Sequence, residues 1–171
     1  LNKIQGAGSI LEIGCRYGDS LRELARTAKP GARIRAIDHG LPSGDCPNPT
    51  AKDLQRTIRD LKKAGYDAEA FVGDSHDPET LEWAKEQGPF DVIFIDGDHT
   101  YQGVKRDWAM YKEMAPIVAF HDIVGSGQAE KVHGNKVEVP RLRAEIRESG
   151  LHCVEFIDEG SKMGIGVCLT V

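Results

Sequence analysis

Residues 90–101, FDVIFIDGDHTY, place two carboxylates and an imidazole at the end of an apolar run. After Asp91 the run reads as a strand buried on both faces, which has no use for charge along its length. Its carboxyl end is different, because ligands of an open α/β sheet sit in the crevice outside that end. Asp96, Asp98 and His99 therefore stand where chemistry is done. More acids and imidazoles, Asp74-x-His76 and His121-Asp122, close other apolar runs. Together they resemble a two-metal ligand set, as in a metal-dependent hydrolase. A turn with solvated acids is the plain alternative for DGDH, and it suits Asp98 best.

A second constellation is left unexplained by hydrolysis. Glu12-x-Gly14-x-x-x-Gly18 joins a strand to a helix, where a glycine loop lets a ligand approach backbone N–H groups. Tight strand-to-helix turns need glycine anyway. Asp38, however, ends the next strand roughly 20 residues on, where a nucleotide fold puts a carboxylate for ribose hydroxyls. Arg16 stands where a dinucleotide loop has its second glycine, so a pyrophosphate would be crowded. Glu12 repels phosphate and welcomes a cationic amino group. The pair favours an aminoacyl nucleoside over NAD.

The elements that position these residues alternate. Strands are expected at 9–13, 34–38, 68–72, 90–95 and 117–120, with helices between them. Ser20 and Glu23 have capping-box spacing, Thr50 and Asp53 can cap the second helix, and Asp77-Pro78 opens the third. Val104, Trp108 and Tyr111 repeat at helical spacing, and a further helix starts at Pro140. Residues 153–157 and 165–171 read as a hairpin around a turn at 158–162. The glycine-bearing stretch 123–139 is longer than most connections and is expected to cover a substrate, with His133 near it. The predicted fold is α/β, doubly wound, with a mainly parallel seven-stranded sheet and one antiparallel strand near the C-terminus.

A chain of 171 residues suits one domain over 1–171. A formal net charge of -5 argues against a general nucleic-acid binder, and no apolar run is long enough for a membrane span. The chain opens on Leu1 without a basic and apolar leader, which sets a cytoplasmic expectation. Cys15, Cys46, Cys153 and Cys168 form no C-x-x-C pair and are expected as reduced, mostly buried thiols.

LEIGCRYGDS (11–20), IRAIDHG (34–40), FVGDS (71–75) and FDVIFIDGDHTY resemble, in order, four motifs of the class I S-adenosylmethionine-dependent methyltransferases. FIDGDHTYQGVKRD and AFHDI are more narrowly similar to the branch holding macrolide sugar O-methyltransferases and cephalosporin-hydroxylase-like proteins. The resemblance covers nearly the whole chain and implies a Rossmann-like fold. It also implies a helix ahead of the first strand, for which residues 1–8 are present. It places Glu12 and Gly14 by the methionine part of the cofactor, Asp38 at the ribose, and Asp74 with Ser75 against the adenine; Cys15, Gly18, His39 and Asp96 are further cofactor-side candidates, with a small residue in a tight turn as the plain reading of Cys15 and a satisfied loop histidine as that of His39. Asp96, His121 and Asp122 match the positions that bind a divalent cation in metal-dependent relatives. His121 stands where acids or amides are commoner, which brings manganese forward beside magnesium. His99 matches the general base. The implied activity is methyl transfer to an oxygen of a small molecule, a sugar or other polyol. A hydroxylase-like or non-catalytic cofactor-binding relative would carry the same motifs.

Overall fold

The computed structural model describes residues 5–42, 47–124, 137–157 and 163–170. Its elements run β1 (Ser9–Ile13), α1 (Asp19–Thr27), β2 (Arg33–Asp38), α2 (Ala51–Lys63), β3 (Asp67–Val72), α3 (Pro78–Gln87), β4 (Val92–Ile95) and α4 (Tyr101–Tyr111). A 3-10 turn (Lys112–Met114), β5 (Ile117–His121), α5 (Val139–Glu148), β6 (Cys153–Phe156) and β7 (Ile165–Leu169) complete it. The strand order is β3-β2-β1-β4-β5-β7-β6. Strands β1 to β5 are parallel, and β7 runs antiparallel to both β5 and β6. The chain winds outward from β1 to β3, then crosses to β4. The switch point between β1 and β4 opens a crevice at the strands' carboxyl ends.

Strand alternation divides the core. Ile10, Ile34, Val92 and Phe94 pack toward α1 and α2, against Leu21, Leu54 and Ile58. Leu11, Ile13, Ile93 and Ile95 face the other way, against Trp108, Phe120 and Leu142. Glu12 shares the Ile10 face by period-two geometry and so lies on the α1 side of β1. Both faces of the central strands are covered, which explains their unbroken apolar runs.

Three local expectations need correction. The capping box at Ser20 and Glu23 does not form: Gly18, at φ 84, is the N-cap of α1, no side chain caps it, and Ser20 lies inside the first turn. Thr50 is the N-cap of α2, but its hydroxyl donates to Asp38 Oδ1 at 3.2 Å instead of capping. Cys153 and Cys168, opposed in the β6–β7 register, form a disulfide, whereas Cys15 is a buried free thiol. Disulfides persist in oxidising compartments, so this bond gives the cytoplasmic expectation no support. The turn at 158–162, His133, Cys46 and residues 125–136 of the long connection lie outside the described residues. Among the described residues no helix is long and apolar enough to cross a membrane.

Candidate cofactor and active site

A cleft of about 780 Å³ opens over the tips of β1 to β5. Gly14 and Cys15 from β1, Asp38 and His39 from β2, and Asp74 and Ser75 from β3 line it. So do Asp96 and His99 after β4, and His121 at the end of β5. Glu12, Gly18 and Asp122 stand behind the wall. Tyr17, Leu41 and Met163 also border the cleft, and nothing in their spacing marked them.

The β1–β2 side is rigidly built. Asp38 Oδ2 accepts the Arg16 N–H at 2.7 Å, and Oδ1 accepts the Gly40 N–H at 2.7 Å. With the Thr50 hydroxyl added on Oδ1, the carboxylate is fixed; Oδ1 then has two donors, and Oδ2, with one, keeps a lone-pair direction for a ribose hydroxyl. Arg16 adopts a left-handed φ of 46, bearing strain that glycine would not, and Asp38 holds it there. Gly14, at φ 86, leaves no room for a side chain: a Cβ would sit 2.3 Å from the Asp96 carbonyl oxygen. Gly14→Ala is expected to cost about 2 kcal/mol, read as a lowered urea midpoint at unchanged m-value.

Cys15 is a turn residue. Its thiol lies 3.3 Å from the Glu12 carbonyl oxygen and 3.6 Å from that of Ile37. Burial, with Glu12 and Asp38 adding, raises its pKa, so it is no nucleophile at neutral pH. Glu12 is fully buried, with the Ser20 hydroxyl and the Cys15 thiol as the donors that favour its anion. Burial pushes its pKa up to about 8; the Ser20 hydroxyl pulls the other way and Asp96 adds to the rise. Burial thus favours its neutral form near pH 7.

The β3 tip is held from α4. Ser75 Oγ donates to Asp107 Oδ1 at 2.7 Å, and His76 Nε2 lies 3.2 Å from the same oxygen. The Tyr111 hydroxyl donates to the Ser75 carbonyl at 2.6 Å. Asp74 is exposed, and its Oδ1 accepts the His76 N–H at 2.9 Å, which is turn chemistry. His39 is also exposed on the wall, its Nδ1 accepting the Leu41 N–H at 2.8 Å. Asp107 was missed by sequence reasoning; the available signal was an acid on the apolar stripe of Val104, Trp108 and Tyr111.

Past β4 the DGDH turn separates into roles. Asp98 is exposed, accepts the Thr100 N–H at 2.9 Å and packs on Gly103, where no Cβ fits. Thr100 caps α4 by accepting the Gly103 N–H at 3.2 Å. Asp96, His99, His121 and Asp122 form one cluster. His99 Nδ1 lies 2.9 Å from Asp122 Oδ2, and its Nε2 is 3.4 Å from Asp96 Oδ1. His121 Nδ1 is 3.2 Å from Asp96 Oδ1 and 3.1 Å from Asp122 Oδ1. Asp122 is fully buried and left-handed, with φ 58, a conformation that aspartate tolerates. Burial would lower both imidazole pKa values, but hydrogen bonds to Asp122 and Asp96 outweigh it, taking His99 up to about 9 and His121 to about 10. Burial opposes ionisation of Asp96, and the two imidazoles overcome it, holding its pKa below the usual range.

The donors expected for magnesium or manganese are thus adjacent, and carboxylates with imidazole suit such an ion chemically. Their arrangement does not fit one. Among the described residues no three His, Cys, Asp or Glu side chains are disposed around a common point for a metal. The carboxylates meet imidazole nitrogens instead. The residues of the hydrolase reading also fall into two separate groups, Asp74 and His76 with Asp107, and the four-residue cluster.

The sequence model of a family described as a methyltransferase domain matches residues 11–123. No curated protein matches the chain by sequence. Among solved structures, an O-methyltransferase from Bacillus cereus in complex with SAH is 20% identical, over 98% of this chain and 76% of that one, at a TM-score of 0.65. The O-methyltransferase TomG from Streptomyces achromogenes, involved in tomaymycin synthesis and in complex with SAM, is 19% identical over 98% and 74%, also at 0.65. The N-methyltransferase NodS from Bradyrhizobium japonicum, with SAH, is 16% identical over 96% and 78%, at 0.62. At such identities the structures speak for the fold, and the family match, which spans β1 to the end of β5, speaks for the kinship. The chain belongs to this methyltransferase family, within the class I S-adenosylmethionine-dependent methyltransferases.

Proposed function

We propose that the protein transfers a methyl group to a hydroxyl oxygen of a small molecule, a sugar or other polyol, with His99 as general base. The observation that carries this reading is the 2.9 Å contact of buried Asp122 with His99 Nδ1, on a ring that lines the cofactor cleft. A buried carboxylate on Nδ1 fixes the tautomer and orientation of an imidazole and steadies the imidazolium it becomes. Nε2, which lies 3.4 Å from Asp96 Oδ1, would then exchange that contact for the acceptor's proton.

When bound, S-adenosylmethionine supplies a methyl group on a positively charged sulfonium. Asp38 would receive the ribose hydroxyls, Ser75 would stand against the adenine, and Gly14 and Cys15 would pass the methionine part along the β1 turn. Glu12 would act on that part from behind the strand. His99 removes the hydroxyl proton as oxygen attacks, so that no charge is left on the acceptor. No step runs through magnesium or manganese, because the carboxylates that would hold the ion already face imidazoles. The reading takes residues 1–171 as one catalytic domain acting on a freely diffusing acceptor.

The test is release of S-adenosylhomocysteine from S-adenosylmethionine over a panel of sugars and polyols, with mass detection of the methyl ether. The expected result is an O-methyl product whose rate is unchanged by EDTA. Transfer that depends on added magnesium or manganese would restore the metal-assisted route. Absence of cofactor binding in calorimetry would overturn the whole reading.

A further inference from the structure

Asp107 is fully buried on α4 and belongs to no proton-transfer step described above. A buried carboxylate is costly unless donors reach it. The donor here is the Ser75 hydroxyl, at 2.7 Å from Oδ1, and the His76 ring stands beside it with Nε2 at 3.2 Å; Oδ2 makes no hydrogen bond among the described residues. Both partners line the cleft.

A serine hydroxyl has one hydrogen and two lone pairs. With that hydrogen given to Asp107, Ser75 Oγ meets the cleft as an acceptor only. The Tyr111 hydroxyl pins the Ser75 carbonyl, which holds the backbone of the β3 tip over Asp107. Asp74, the more obvious acid at this tip, has its Oδ1 engaged by the His76 N–H.

We propose that Asp107 sets the hydrogen-bond polarity of Ser75, making this wall select a purine with an exocyclic amino group over one with a carbonyl at the same place. The proposal rests on the cofactor reading above. An amino group donates to Ser75 Oγ, whereas a carbonyl brings lone pairs against lone pairs. Turning the Ser75 hydrogen toward the carbonyl would strip a donor from the buried Asp107 carboxylate. Sites built to meet one donor reject an analogue lacking it far more strongly than apolar pockets sort by size. Asp107 touches no ligand in this arrangement and is a positioning residue.

The probes are S-adenosyl-L-homocysteine and its 6-oxo analogue, S-inosyl-L-homocysteine, titrated calorimetrically. The wild-type protein is expected to bind the amino form at least about tenfold more tightly. Ser75→Ala should bring the ratio close to one. Asp107→Asn keeps an acceptor oxygen and retains the preference; Asp107→Leu frees the Ser75 hydrogen and collapses it. A purely structural role for Asp107 would weaken both ligands equally and leave the ratio standing, which overturns the proposal. Equal affinities in the wild-type protein, or a ratio unmoved in Ser75→Ala, also overturn it while the cofactor reading survives. If neither compound binds, both fall together.

Discussion

His99→Ala lowers the turnover number by about 100- to 10,000-fold, the usual contribution of a general base, and leaves S-adenosylmethionine affinity nearly unchanged. The ring lines the cleft between Asp122 and Asp96, and with His99 as the proposed base its loss removes proton transfer and little binding. The pH profile is the sharper signature. Burial disfavours the imidazolium, yet hydrogen bonds to Asp122 and Asp96 prevail and push the His99 pKa up to about 9. A base must be unprotonated to act. In the wild-type protein kcat/KM is therefore expected to rise with pH, close to tenfold per unit, and to level near pH 9. The inflection belongs to the coupled cluster, since His121 draws on the same carboxylates.

Stability runs the opposite way. Because folding raises the His99 pKa from 6.5, its imidazolium contributes stability that is fully present below pH 6.5 and is lost as pH rises through about 9. A rising rate thus accompanies a weakening fold, and unfolding cannot imitate it. Initial rates from pH 6 to 9.5, with melting temperatures in the same buffers, separate the two. In His99→Ala the slope should vanish. A flat wild-type profile, or a variant that loses cofactor affinity as severely as turnover, would move His99 from catalysis to the pocket wall.

The order of strands and helices was legible because the apolar runs end in glycine, proline and acids at each strand tip, and tertiary packing had no reason to override them. Asp38, Asp96 and His99 were legible for a related cause: charge at the carboxyl end of a buried strand has few structural uses. What escaped was pairwise. Ser20 has the spacing of a cap, but Gly18 alone accepts φ 84, so the helix starts before it. Asp107 carries no motif, and its meaning comes from Ser75 and His76, distant in sequence. The Cys153–Cys168 bond depends on a strand register that spacing does not show. The divalent cation is not shown for the same kind of reason: adjacency of donors along the chain said nothing about His99 and His121 turning their nitrogens onto the carboxylates.

Glu12→Gln is expected to stabilise the fold, increasingly so as pH rises. The side chain lies on the Ile10 face of β1 under α1, fully buried, and burial raises its pKa from 4.5 to about 8. An acid whose pKa rises on folding holds its proton more tightly when folded. Its contribution is fully present below pH 4.5 and is lost as pH climbs toward 8, the reverse of the usual salt-bridged carboxylate. By pH 7 the deficit is on the order of 3 kcal/mol at most. A neutral amide of the same shape carries no such deficit, so urea midpoints of variant and wild type should nearly coincide at pH 4.5 and diverge through pH 8. A gap independent of pH would show that Glu12 is held as an anion by contacts of its own. The cofactor gives the same group a second readout. A cationic amino group arriving at the β1 turn favours the ionised form, so binding at pH 7 should release close to one proton from the wild-type protein and none from Glu12→Gln. Calorimetry in two buffers of different ionisation enthalpy measures that release. Equal release from both proteins would leave Glu12 as an internal strut; a release confined to the wild type makes this buried acid the sensor of the methionine end of the cofactor.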